Sequence, residues 1–175
     1  MAGTGKGMRE RALEFIATCV DPKKLTQMIE NARKQGEAEV ERAAQLRLYE
    51  VRPEAQPGTL EHDVWRSIYA LEGALTGERE RTTLLGRTRQ KIAADKEAAT
   101  VASLVLKKDA SEGFHMLLER NLAGHTFEAV ALRHRERFDQ EVVDAAAERL
   151  RGAGQDPERL GRPLDYDSRG ADASP

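Results

Sequence analysis

Apolar residues return at steps of three and four along most of this chain and almost never at steps of two. That spacing stacks side chains on one face of an α-helix, so the expected fold is all-α. Between Met8 and Cys19, Leu13 and Ile16 lead to Val20 on one side of a first helix. Asp21 then stands before Pro22, a cap followed by a residue suited to the first helical turn. Leu25, Met28, Ile29 and Ala32 form the inward face of a second helix, which Gly36 can end in the left-handed conformation. A third, from about 37 to 50, buries Val40, Ala43, Ala44 and Leu48. Pro53, Pro57 and Gly58 make a linker, after which Thr59 caps the next helix.

The most regular stretch covers 60–95. Val64, Ile68, Leu71, Leu75, Thr82, Leu85 and Ile92 fall on one seam, as in a helix packed along a second long helix. Glu78 and Arg89 interrupt that seam, and Gly73, Gly77 and Gly86 weaken a continuous rod. A bend or hairpin near 76–80, capped by Thr76, is the alternative form. Further helices are expected at about 98–107, 111–121 and 140–150, with a short one after Thr126 carrying Phe127, Val130 and Ala131. From Gly152 the apolar pattern fails, so 152–175 reads as a mostly disordered tail that Leu160 and Leu164 alone can anchor. Removing it is expected to leave stability nearly unchanged.

These elements compose a multi-helix bundle in which helical hairpins flank a long central helix. Its parts are an N-terminal lobe at 8–50, the central helix or bent helix pair at 59–96, a C-terminal lobe at 97–151 and the tail. Residues 39–48 (EVERAAQLRL) align with 141–150 (EVVDAAAERL), pairing Val40, Ala44, Arg47 and Leu48 with Val142, Ala146, Arg149 and Leu150. Two similarly built hairpins account for that likeness, as does convergence of alanine-rich helices on one spelling.

Composition narrows the functional classes. The chain is 39% hydrophobic and only 5% aromatic, so its core must come from small and aliphatic side chains. Cys19 is the single cysteine, which excludes an intramolecular disulfide and a cysteine-based zinc site and suits a buried thiol. No apolar run reaches membrane-spanning length and no secretory h-region follows the N-terminal basic residues, so a cytoplasmic protein is expected.

Signals for catalysis are weak. Residues 3–7 (GTGKG) lack a preceding strand and the full phosphate-loop spacing. His62 and Asp63 are adjacent, but neighbours on a helix diverge by about 100° and chelate one ion poorly. His115, His125 and His134 are not in metal-ligand spacing, and Ser67, Ser103 and Ser111 lack a nucleophile elbow. The expectation is a non-catalytic protein without metal or cofactor.

Charge distribution says more than its sum of -2. Residues 81–96 hold five basic groups (Arg81, Arg87, Arg89, Lys91, Lys96) against Asp95, whereas 37–63 holds seven acidic and three basic. A helix with such a basic strip can follow a DNA or RNA backbone through phosphate contacts. The expected function is therefore a regulatory or accessory protein contacting nucleic acid through that strip. The alternative is a helical adaptor or inhibitor of another protein, with the strip occupied by an acidic helix or an apolar patch exposed. The seam, with Val64, Ile68, Leu71, Leu75 and Leu85, is expected to form a homodimer interface.

Overall fold

The computed structural model describes residues 3–79 and 81–166, and the side chains from residue 7 onward. Among the described residues every regular element is helical. The chain divides into two compact units, the first holding the described residues up to Glu54 together with Asp165 and Tyr166, the second Ala55–Leu164.

The first unit contains α1 (Gly3–Thr18), α2 (Pro22–Gln35) and α3 (Ala38–Val51). Asp21 begins α2 as expected: its carboxylate accepts from the backbone N–H of Lys23 at 2.9 Å and of Lys24 at 3.3 Å, with Pro22 following. Gly36 ends α2 at φ 70°, and the N–H of Glu37 reaches back to Ala32 O at 2.9 Å. That tight exit folds α3 onto α2 and buries Leu25, Ile29 and Ala32 against Val40 and Ala44. α1 closes the cluster with Ile16 and Cys19, whose thiol is buried.

The second unit contains α4 (Leu60–Arg79), α5 (Gly86–Val105), α6 (Glu112–Glu119), α7 (Phe127–Arg133), α8 (Gln140–Gly152) and α9 (Pro157–Leu160). Thr59 Oγ1 caps α4 by accepting from His62 N–H at 3.2 Å. Ser111 and Thr126 cap α6 and α7 in the same way, from Phe114 N–H at 3.1 Å and Ala129 N–H at 3.2 Å. α7 is short and apolar through Ala129, Val130, Ala131 and Leu132, all buried, as befits a helix surrounded by others. Its neighbours α4, α5 and α8 supply Val64, Ile68, Val101, Val105, Val142, Ala146 and Leu150 to the same core.

The seam of 60–95 takes the broken form. α4 stops at Arg79 and α5 restarts at Gly86, so no single rod spans it. Thr76 Oγ1 accepts from Thr83 N–H at 3.1 Å and Glu72 Oε1 accepts from Leu85 N–H at 2.9 Å, two side chains of α4 that draw the returning backbone alongside it. α5 breaks again at Lys96, where φ 71° and ψ 171° are not helical.

Because α4 packs on α5, α6 and α7, the seam is covered from within the chain. Val64 and Ile68 are wholly buried, Leu75 is buried, and Leu71 and Leu85 are half-buried. The chain's own helices thus cover Val64, Ile68 and Leu75, while Leu71 and Leu85 keep part of their surface open. Of the expected disordered tail, 167–175 lies outside the described residues. The described part follows a defined course through α9, where Leu160 packs on the core and Leu164 stays exposed. No helix among the described residues is long and apolar enough to cross a membrane.

Candidate functional site

The five basic residues of 81–96 do not share one environment. Arg81, Arg87 and Lys96 are exposed. Arg89 is half-buried: its Nε and Nη2 donate to Glu72 at 2.7 and 2.8 Å, while its guanidinium lies 5.0 Å from the Trp65 ring and 5.6 Å from the Tyr69 ring. The hydrogen bond to Glu72 raises the Arg89 pKa above its ordinary value. Lys91 Nζ donates to Asp95 at 2.7 Å, one turn along the same helix. Two of the five cations thus have carboxylate partners, and the apparent flaw in the seam at Arg89 is an ion pair with α4.

A second constellation escaped the sequence reading. Asp63, Arg66, Arg133, His125 and His134 converge where α4, the 3-10 turn Ala123–His125 and α7 meet. Arg133 donates Nε to Asp63 Oδ2 at 2.7 Å and Nη2 to Oδ1 at 3.0 Å, and Arg66 donates Nε to Oδ1 at 3.1 Å. His134 Nε2 lies 3.3 Å from Oδ2. Both arginines also donate to Gly124 O, at 2.9 Å from Arg66 and 2.8 Å from Arg133, and Arg133 reaches Leu160 O at 3.1 Å. Burial opposes the Asp63 charge, but the hydrogen bond from His134 and the charges of Arg133 and Arg66 outweigh it and hold the carboxyl well below its usual range.

Arg66 Nη1 lies 3.1 Å from His125 Nε2, and since arginine only donates, a hydrogen bond there has the imidazole nitrogen accepting. The adjacency of His62 and Asp63 acquires a structural meaning, because both Asp63 oxygens are engaged by cationic donors. Among the described residues no three His, Cys, Asp or Glu side chains stand together as a metal-binding group. The network ties four segments of the second unit together. The Asp63–Arg66 spacing of three was a visible helical pairing signal, but nothing local in the sequence pointed to Arg133, 70 positions away.

Beside this network lies an open pocket of about 420 Å³ between α4, α6 and the ends of α5, closed below by the start of α7. Leu71, Leu85, Leu104 and Phe127 line it and are only half-buried, so each leaves apolar surface there. Three of its polar wall groups are engaged elsewhere: Ser67 Oγ donates to Asp63 O at 3.1 Å, Thr126 Oγ1 to Ala123 O at 2.8 Å, and Glu128 accepts from Arg149 at 2.8 Å. Arg87 and Glu112 line the rim and are exposed.

In the first unit the large apolar side chains left outside the cluster are Met8, Phe15 and Val20, at 67%, 47% and 72% exposure. Comparison of the chain with protein-family models, curated proteins and solved structures finds no match.

Proposed function

We propose that this chain is a non-catalytic, cytoplasmic accessory protein that regulates another protein by docking the outward face of α1 into an apolar groove on it. The observation that carries this reading is the exposure of Met8 and Phe15 on α1, with Val20 exposed just past its end. Met8 and Phe15 are two helical turns apart and so project from one face, the i and i+7 spacing with which a helix anchors in a groove. Exposed Arg11 and Glu14 beside them provide the polar margin of such a contact.

The alternative partner, DNA or RNA, rests on Arg81, Arg87 and Lys96. It has less support than five basic groups in 81–96 suggest, because Glu72 neutralises Arg89 and Asp95 neutralises Lys91. Three separated cations supply only a weak, salt-sensitive phosphate contact.

The test compares three full-length proteins: the parent, a variant with Met8→Ser, Phe15→Ser and Val20→Ser, and one with Arg81→Gln, Arg87→Gln and Lys96→Gln. Each is used to capture partners from nuclease-treated extract of the source cells, and the captured protein is purified and titrated by calorimetry. Saturable one-to-one binding that the α1 variant loses and the charge variant keeps is the expected result. Equal affinity of the α1 variant overturns the docking reading. Direct binding of nucleic acid at low salt, lost only in the charge variant, moves the assignment to the basic strip.

A further inference from the structure

The pocket of the second unit has features that the α1 surface lacks: apolar walls and a rim bearing one charge of each sign. Leu71, Leu104 and Phe127 come from α4, α5 and α7, line the pocket and are each half-buried. Its volume of about 420 Å³ falls within the ordinary range for small-molecule sites. Ser67, Ser111, His125, Thr126 and Glu128 are already bonded within the protein, so the charged groups left for recognition are Arg87 and Glu112, with the Thr88 hydroxyl beside them. Neither of those two makes an ion pair or side-chain hydrogen bond with another described residue.

We propose that this pocket binds a zwitterionic apolar dipeptide, with its carboxylate on Arg87, its ammonium on Glu112 and its side chains against Leu71, Leu104 and Phe127. Charge complementarity selects this class. A purely anionic amphiphile gains Arg87 but approaches Glu112, and a cationic one meets the reverse penalty. A neutral apolar molecule fills the walls yet uses neither charge. Only a ligand carrying both signs on an apolar body satisfies the whole rim. The Arg87 guanidinium can hold a carboxylate by two parallel hydrogen bonds, which a lysine in its place does not reproduce. Since no residue of α1 takes part, this site stands or falls apart from the docking surface.

Calorimetry on the full chain tests it with L-leucyl-L-phenylalanine, its N-acetyl form, its C-terminal amide and the doubly blocked form. The variants are Arg87→Gln and Glu112→Gln, both at exposed positions, and Leu104→Trp, which fills the pocket. The parent is expected to bind the free dipeptide saturably, one per chain, and the doubly blocked form at least tenfold more weakly. Arg87→Gln should lose about tenfold for the free dipeptide and cease to distinguish it from the amide. Glu112→Gln should cease to distinguish it from the N-acetyl form, and Leu104→Trp should abolish binding. The proposal is overturned by absence of saturable heat at millimolar dipeptide, by equal binding of the free and doubly blocked forms, or by unchanged discrimination in both charge variants. Circular dichroism on those two exposed-site variants keeps the result readable if Leu104→Trp misfolds.

Discussion

At the scale of single residues, Asp63 and Lys96 mark the two extremes of fit between side chain and site. Asp63 is buried with both oxygens bonded to cations, so its removal strands Arg66 and Arg133 inside the protein. Asp63→Asn is expected to cost about 3–5 kcal/mol, measured as a lowered urea midpoint at neutral pH. The sign of its pH dependence follows from the depressed pKa. The folded protein holds the proton more weakly than the unfolded chain, so the stabilisation is complete above the usual carboxylate range near pH ~4. It is lost as pH falls below that range towards the folded value, and the parent should weaken there more steeply than Asp63→Asn. Equal slopes for the two proteins between pH 5 and 3 count against the network. Lys96 presents the opposite case, since φ 71° with ψ 171° is a conformation that only glycine adopts without strain. Its side chain is exposed and loses little on deletion. Lys96→Gly should therefore stabilise by roughly 1 kcal/mol, the relief of backbone strain exceeding the added freedom of the unfolded chain. A lower melting temperature for that variant contradicts the strain. The break also leaves its mark one turn on, where buried Thr100 Oγ1 has no hydrogen-bond partner among the described residues. A threonine within a regular helix can bond the carbonyl four residues back, and here that residue is Lys96.

At the scale of elements, caps and hairpins were legible and the break after Arg79 was readable only as an alternative. Asp21, Gly36, Thr59 and Thr126 do what short-range chemistry assigns them, because a cap needs only its own helix end, while Ser111, expected inside its helix, stands one residue before it as the cap. The likeness between 39–48 and 141–150 also has a structural counterpart: α2 with α3 and α7 with α8 are both packed pairs, with Val40 and Val142 buried alike. Arg47 donates to Cys19 O at 2.9 Å just past α1, and Arg149 donates to Lys107 O just past α5. The break could not be fixed from periodicity, because Leu75 on α4, Leu85 at the threshold of α5 and Ile92 within α5 continue one phase across it. What decides it is Glu72, which binds Leu85 N–H and Arg89 together. Glu72→Gln is expected to cost about 1–3 kcal/mol and to speed amide exchange at Leu85 and Arg89 selectively. Trp65 is the single tryptophan; it is stacked by Arg89 and donates to Glu97 at 3.1 Å, so its emission should shift in the same variant. Unchanged exchange and emission would mean that α5 begins without help from Glu72.

At the scale of the molecule, the spacing of apolar residues led to an all-α fold, but which distant segments meet was not written in local patterns. The pocket draws Leu71, Leu104 and Phe127 together, and the ionic network draws Asp63 to Arg133, without any periodic trace linking those positions. The tail illustrates why: its few apolar residues gave little reason to expect docking, yet one leucine and one carbonyl suffice. Asp156 caps α9 by accepting from Glu158 N–H at 3.0 Å, with Pro157 in the first turn, and this places Leu160 on the core. A Cβ built on Gly161 would stand 3.2 Å from Leu132 Cβ, which measures how closely the backbone approaches α7. The Leu160 carbonyl also receives Arg133 Nη1, the same guanidinium that holds Asp63. Ending the chain at Gly154 removes the apolar contact and leaves a buried donor without its acceptor. The expected loss is about 2–4 kcal/mol, from partial burial of one leucine and one unsatisfied charged donor. Leu160→Ala in the full chain separates the two contributions, since it keeps the carbonyl and should cost only about 1–2 kcal/mol. Denaturant midpoints for the parent, Leu160→Ala and the truncated chain should fall in that order. If the truncated chain matches the parent, α9 contributes nothing to stability and the earlier expectation of a dispensable tail is restored. A truncated chain no weaker than Leu160→Ala would instead leave the apolar contact and remove any weight from the carbonyl at Arg133.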